Sequence, residues 1–253
     1  MKKNTLLIVA LLPLFFVISC LSRTGSKGGQ EAEPEEQAAP DTIKRYFSGN
    51  ILSSEVTFRN GVRHGLTKTY YATGKLYQTF WYNNGVKEDT AVMYYEDGMR
   101  VFRKTPFRRD TMHGVQIQYY KSGRIRAKLE FVDGLRKPYL EEFKSDGTPI
   151  TDYASLVVET SDNYKQNGTY TIKLSLNKKD VKANFYRGGY QNGLFNPKAV
   201  AKINDSDYSG VILLRKTADP AQNYVEVIAE ILTPLGNRLL EYRKIDLPYN
   251  DLK

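Results

Sequence analysis

Residues 60–85 read NGVRHGLTKTYYATGKLYQTFWYNNG, and residues 113–123 return to the same wording as HGVQIQYYKSG. The only two histidines of the chain, His64 and His113, open the shared phrase. A matched pair of imidazoles beside paired tyrosines invites a catalytic reading, because histidine is the commonest general acid or base. The spacing argues against it. Aligned on the glycine after each aromatic pair, the chain shows Gly49, Gly74, Gly98, Gly123 and Gly147, at intervals of 25, 24, 25 and 24 residues. Four residues before these glycines stand Tyr70, Tyr94, Tyr119 and Phe143, and three before stand Tyr46, Tyr71, Tyr95 and Tyr120. A fixed period of this kind is the signature of a repeat architecture. His64 and His113 are two periods apart, and Glu88 holds the corresponding place in the unit between. Stacked hairpins with a strand spacing of ~4.8 Å would separate the two by roughly 20 Å. That is too far for shared proton transfer or one metal ion, so both histidines are assigned to the turn that ends a unit.

Each unit reads as two short strands. Thr-Gly, Asp-Gly or Ser-Gly joins them, and Asn-Gly or Asp-Gly (Gly61, Gly85, Gly134) turns into the next unit. Such dipeptides supply the positive φ that tight hairpin turns need. A lone hairpin is unstable in water, so the units are expected to stack into an elongated, twisted ribbon of meandering β-sheet. Some positions depart from the pattern. Asp110 stands for a turn glycine, Asp89 and Lys137 stand for the final one, and Arg100 takes a place that is apolar in Ile51, Leu76 and Ile125. The unit with Arg100 also holds Arg103, Lys104, Arg108 and Arg109. Two readings of that basic cluster are open: a contact for an anionic surface or partner, or a sheet edge protected by charge against strand addition. Arg103 and Lys104 are neighbours on a strand, so they fall on opposite faces.

The period, the turn glycines and the aromatic pairs together resemble the bacterial variant of the MORN repeat (membrane occupation and recognition nexus), over about residues 44–150. The resemblance implies an all-β ribbon of stacked hairpins. Association with membranes and scaffolding in eukaryotic MORN proteins is an analogy of fold alone.

The amino terminus, MKKNTLLIVALLPLFFVISC, has a short basic stretch and an apolar run from Leu6 to Ile18. The run has the length of a signal-peptide core and is short for a bilayer span. Val17-Ile18-Ser19-Cys20 resembles the lipobox of bacterial lipoproteins. The resemblance implies removal of residues 1–19 and acylation of Cys20, which is the single cysteine of the chain. Leu21, rather than aspartate, follows that cysteine, which by the same resemblance points to the outer membrane. With one cysteine there is no intramolecular disulfide and no cysteine-built metal site. Residues 20–41 are rich in Gly, Glu, Ala and Pro and read as a flexible tether. Residues 42–253 carry 33 of the 37 basic and 23 of the 28 acidic residues, a net charge of +10.

After Thr151 the period disappears. TYTIKLSL (169–176) and YVEVIAEI (224–231) alternate cleanly between apolar and polar. Further strands are expected near 154–159, 181–187, 199–203, 209–215 and 238–247. Seven strands in about 100 residues point to an immunoglobulin-like β-sandwich over 151–253, without the Cys…Trp…Cys signature. The segment YRGGYQNGLFNP (186–197), with Tyr186, Tyr190 and Phe195, reads either as a binding loop or as a long connection across the sandwich.

No nucleophile elbow, H-E-x-x-H, P-loop or dinucleotide fingerprint occurs. No catalytic residue, cofactor or metal is therefore assigned, and an exported, tethered chain is a poor candidate for nucleic acid. The expectation is a non-enzymatic cell-envelope lipoprotein, held to the membrane through Cys20, that binds protein partners as a scaffold or accessory subunit. The alternative is a module for glycans or cell-wall polymers that uses exposed tyrosines and basic side chains.

Overall fold

The Tyr-x-x-Gly turns close as the spacing predicts: the amide N–H groups of Gly74, Gly98 and Gly123 donate to the carbonyls of Tyr71, Tyr95 and Tyr120 at 2.8–2.9 Å. Gly49, Gly74, Gly98, Gly123 and Gly147 all have φ between 72° and 96°. The computed structural model describes residues 41–253. Cys20, the signal segment and all of the tether but Asp41 lie outside the described residues.

The turns string together β1 (Asp41–Tyr46), β2 (Leu52–Arg59), β3 (Val62–Tyr70), β4 (Leu76–Asn83), β5 (Val86–Tyr94), β6 (Val101–Arg108), β7 (Thr111–Met112), β8 (Gly114–Tyr119), β9 (Ile125–Val132) and β10 (Leu135–Glu142). They form one antiparallel sheet in the order β1-β2-β3-β4-β5-β6-β8-β9-β10, with the two-residue β7 beside β6. This is the stacked-hairpin ribbon expected from the period.

The departures from the repeat keep its backbone. Asp89 (φ 62°) stands at the place of Gly65 (φ 92°) and Gly114 (φ 107°), and Asp110 (φ 66°) stands for a turn glycine. Aspartate is one of the few non-glycine residues that tolerate this region. Each carboxylate also accepts a backbone N–H, Asp89 from Thr90 and Asp110 from Lys87. Lys137 differs. It lies where the β9–β10 register slips between Arg136 and Leu140, with no positive φ.

Gly98 is required for a second reason. A Cβ there would lie 2.8 Å from the Leu76 amide nitrogen, in the hairpin of the preceding unit. At Gly123 a Cβ would meet nothing within 4 Å. Left-handed strain of about 1–2 kcal/mol is common to alanine at both sites. The close approach adds to it at position 98 alone, so Gly98→Ala is expected to destabilise by at least ~1 kcal/mol more than Gly123→Ala. Urea unfolding of the two variants measures the difference.

From Ala154 onward the chain builds two facing sheets. One is β11 (Leu156–Asn163), β12 (Thr169–Leu176) and β15 (Gly210–Arg215) in the order β11-β12-β15. The other is β13 (Ala183–Arg187), β14 (Ala201–Lys202), β16 (Tyr224–Leu232) and β17 (Arg238–Asp246) in the order β14-β13-β16-β17. A single turn, α1 (Tyr164–Asn167), joins β11 to β12. Lettered A, B, C, C′, E, F, G in chain order, the strands pair A-B-E and C′-C-F-G. That is an immunoglobulin-like sandwich whose fourth strand sits beside C. In place of an inter-sheet disulfide, Tyr170, Ile172 and Leu174 of β12 share one buried cluster with Phe185 of β13 and Val225, Val227, Ala229 and Ile231 of β16. The outward alternation of TYTIKLSL, with Thr171, Lys173 and Ser175 away from that cluster, is what the period-2 pattern dictates.

Candidate interaction surface

Register decides which side chains share a face of the ribbon. Lys44, Glu55, Lys68, Thr79, Val92, Lys104, Ile117, Lys128 and Glu141 are successive cross-strand neighbours on one face. Ile43, Val56, Thr67, Phe80, Ala91, Thr105 and the row that continues them occupy the other. The second face is the more covered. Thr67, Ala91, Thr105, Gln116, Leu129 and Glu142 are buried on it. Cations alternate with rings there: Arg63 lies over Tyr82, Lys87 over both Phe80 and Phe107, and Arg136 over Phe131, at 4.3–5.7 Å. Such contacts cover aromatic surface with aliphatic stems and hold the ammonium or guanidinium over the ring.

The first face is open. Glu55 accepts from the Tyr70 hydroxyl at 2.5 Å and pairs with Lys44 (3.4 Å) and Lys68 (3.6 Å). Beyond this charged group runs an apolar strip. Leu66 and Trp81 are direct cross-strand partners, 40% and 44% exposed, and Val62, 45% exposed, stands on the same face four residues before Leu66. Trp81 is the single tryptophan of the chain. A large aromatic in solvent beside two exposed aliphatics is the composition of an interface centre, where tryptophan is enriched.

The paired tyrosines are committed to the ribbon itself. The second of each pair donates its hydroxyl to the carbonyl of the first aromatic one unit on: Tyr71 to Tyr94 (2.8 Å), Tyr95 to Tyr119 (2.7 Å) and Tyr120 to Phe143 (2.6 Å). Their rings stack edge-on against neighbours, Tyr71 on Tyr77 and Tyr95 on Phe102. Only a phenol has the length and the donor for this stitch, which explains the choice of tyrosine over phenylalanine. Tyr46, at the start of the ribbon, is exposed.

The histidines do equivalent structural work. The Asn84 backbone N–H lies 3.4 Å from His64 Nδ1, and that of Asp133 lies 3.4 Å from His113 Nδ1. Each ring thus fastens the end of one unit to the turn 20 residues on. They sit four sheet steps apart, so no site joins them. Among the described residues no group of His, Cys, Asp and Glu has the arrangement of a metal site.

The basic cluster is dispersed. Arg100 pairs with Asp97 in its own turn (2.7 Å), Arg108 pairs with Asp133 (2.8 Å), and the Arg109 backbone N–H donates to Glu88 (3.2 Å). Arg103 lies against Met93 Sδ on the covered face, while Lys104 lies over Tyr119 on the open one. A patch built from all five does not exist. The edge-protection reading fails too, because β6 is flanked by β5 on one side and by β7 and β8 on the other. Among the described residues the free edge of the ribbon is β1. What remains of the cluster is a 280 Å³ cleft lined by Arg100, Lys104, Lys121, Tyr119 and Tyr120.

The segment 186–197 is a joint, not a free loop. Tyr186 and Phe195 are buried with Ile228 and Leu240 on the outer side of the C′-C-F-G sheet, with Tyr190 packed against them. The Phe195 N–H donates to the Arg136 carbonyl of β10 at 2.8 Å. Burial pushes the Tyr190 phenol up to about 12.

Sequence reasoning missed the polar core of this joint. The turn between β16 and β17 lies on the covered face of the ribbon. Glu142, 1% exposed, accepts through one oxygen from Thr233 Oγ1 (2.7 Å) and Asn237 Nδ2 (2.6 Å). Asn237 accepts from Gln118 (2.7 Å), and Gln118 accepts from Arg126 (2.9 Å), which also donates to the Leu235 carbonyl (2.8 Å). A carboxylate and a guanidinium thus face each other through two amides. The available signal was polar residues at inward positions of the alternation: Gln116, Gln118 and Glu142.

Three tyrosines favour their neutral form in the folded protein. Burial, followed by the Glu55 hydrogen bond, raises Tyr70 to about 12, and burial beside Glu142 does the same for Tyr153. The Glu226 hydrogen bond raises Tyr242 to about 12. Each folded value lies above the ordinary ~10 of an unfolded tyrosine. Their stabilisation is therefore complete below pH 10 and lost as pH rises from about 10 to 12. Thermal unfolding between pH 8 and 12, with phenolate absorbance followed in parallel, should show flat stability to about pH 10 and a decline beyond it.

The MORN repeat variant family matches residues 63–84 and 112–133. These two stretches contain His64 and His113. The unit between them, with Asp89, Pro106 and Asp110, folds alike but is not matched. No curated protein matches the chain.

Proposed function

We propose that this chain is a non-enzymatic bacterial cell-envelope lipoprotein, held at the outer membrane through acyl chains on Cys20, whose repeat sheet is a protein-binding scaffold or accessory subunit. The observation that carries the binding part is the exposed Val62–Leu66–Trp81 strip on a rigid sheet. An apolar strip on strands already paired in a sheet binds without the cost of ordering backbone, and removing its exposed Trp81 and Leu66 surface from water favours association against the loss of side-chain and rigid-body freedom. The glycan alternative is less well supported, because the hydroxyls of Tyr71, Tyr95 and Tyr120 are used within the ribbon.

The anchor rests on the sequence of residues 17–20 and is tested separately. Cys20→Ala should leave an uncleaved or soluble product, and normal membrane retention would overturn it. For the surface, a Leu66→Ala/Trp81→Ala chain is isolated from detergent-solubilised membranes beside the unaltered one. A stoichiometric protein partner lost only from the variant supports the scaffold. Retention on polysaccharide or peptidoglycan with no protein partner overturns it in favour of glycan binding.

A further inference from the structure

The outer edge of β1 pairs with no strand among the described residues, and all six residues of Asp41–Tyr46 are exposed. At the opposite side of the same sheet, β10 is met by Phe195 and the sandwich. An open edge carries unpaired N–H and C=O groups and is a template for another strand. We infer that this edge is built to take a second copy of the same strand, joining two ribbons antiparallel about a two-fold axis.

The argument is in the order of the side chains. Asp41, Ile43 and Arg45 stand on the covered face, opposite Phe58, Val56 and Ser54 of β2, and Thr42 and Lys44 stand on the open face. A two-fold axis perpendicular to the sheet keeps each face continuous from one copy to the next. Of the registers such an axis allows, the one centred on Ile43 sets Asp41 opposite Arg45 of the second copy, and Arg45 opposite Asp41 of the second copy. It brings the two Ile43 side chains, each 49% exposed, together between those ion pairs. Thr42 then faces Lys44, so no like charges meet. A shift of the centre to Thr42 sets Asp41 against Ile43, and a shift to Lys44 sets lysine against lysine. Opposite charges and apolar pairs directly across an antiparallel ladder are stabilising, and like charges are not. The strand is self-complementary in one register. The isologous pairing closes on itself and leaves no edge for further addition there.

This inference is independent of the apolar strip around Trp81. It is tested on the full chain in detergent by sedimentation equilibrium at rising concentration and at low salt. The unaltered chain should double in mass. Arg45→Asp sets aspartate against aspartate twice and should weaken association at least about tenfold. Asp41→Arg/Arg45→Asp restores both pairs with the charges exchanged and should recover the dimer. In a Cys20→Ser background, Ile43→Cys holds the only thiol and should form a disulfide dimer, whereas Arg45→Cys should not. A chain that stays monomeric at all concentrations, a double variant without recovery, or equal crosslinking at positions 43 and 45 overturns the proposal. Monomers that instead take up a strand of another protein at β1 also overturn it, and leave the scaffold reading standing.

Discussion

Phe185→Ala is expected to lower stability by about 3–5 kcal/mol, the usual range for removing a fully buried phenylalanine. Phe185 is fully buried on β13 between the two sandwich sheets. The site has little means of collapse. The Gly210 backbone at the start of β15 approaches so closely that a Cβ there would lie 2.9 Å from Phe185 Cβ. The ring occupies the volume that glycine leaves, and strands paired on both sides hold the surrounding backbone in place. Because whole domains are stable by only ~5–15 kcal/mol, the variant should unfold at a much lower urea concentration. Phe47→Ala, at an exposed ring before the first turn, is the control and should change little. A loss below about 1 kcal/mol at Phe185 would mean that the cavity closes, contrary to the packing described.

Glu142→Ala acts at a different level. It leaves Thr233 Oγ1 and Asn237 Nδ2 without their acceptor in a buried place, at a cost of about 1–3 kcal/mol for each unsatisfied donor. It also removes the anion that faces Arg126 through Asn237 and Gln118. The expected result is a loss of about 2–5 kcal/mol together with separation of ribbon and sandwich. Proteolysis should begin in the connecting segment 143–153 before either part is cut. Glu142→Gln keeps an acceptor oxygen and the shape of the side chain, and should lose less. Equal losses for the two variants would show that the charge, not the acceptor, holds the joint.

Much of the ribbon was legible because its information is local. Tyr71 and Gly74, or Asn84 and Gly85, form their turn from φ preferences within four residues, and the period repeats the instruction. The sandwich strands were legible for a related reason. In Thr169–Leu176 and Tyr224–Leu232 the alternation of apolar and polar residues follows directly from the pleat. Local rules also explain why Asp89 and Asp110 could replace glycine without altering the hairpins.

The remaining features depend on partners far away in the chain. The five basic residues from Arg100 to Arg109 are close in sequence but form no single patch, since a strand sends neighbours to opposite faces and Asp97 and Asp133 claim Arg100 and Arg108 individually. Tyr186, Tyr190 and Phe195 have the composition of a binding loop, yet sheet and β10 cover them. Glu142 stands at an inward position of its strand, but the donors to its carboxylate, Thr233 and Asn237, come only with the turn between β16 and β17. The repeat, the turns and the inward pattern of each strand are written in the residues themselves, because backbone preference and side-chain alternation act over a few residues. Only the tertiary fold sets which face is covered, which polar residues become the joint and which edge is open among the described residues. Burial and hydrogen bonding there are set by groups about 90 to 120 residues apart.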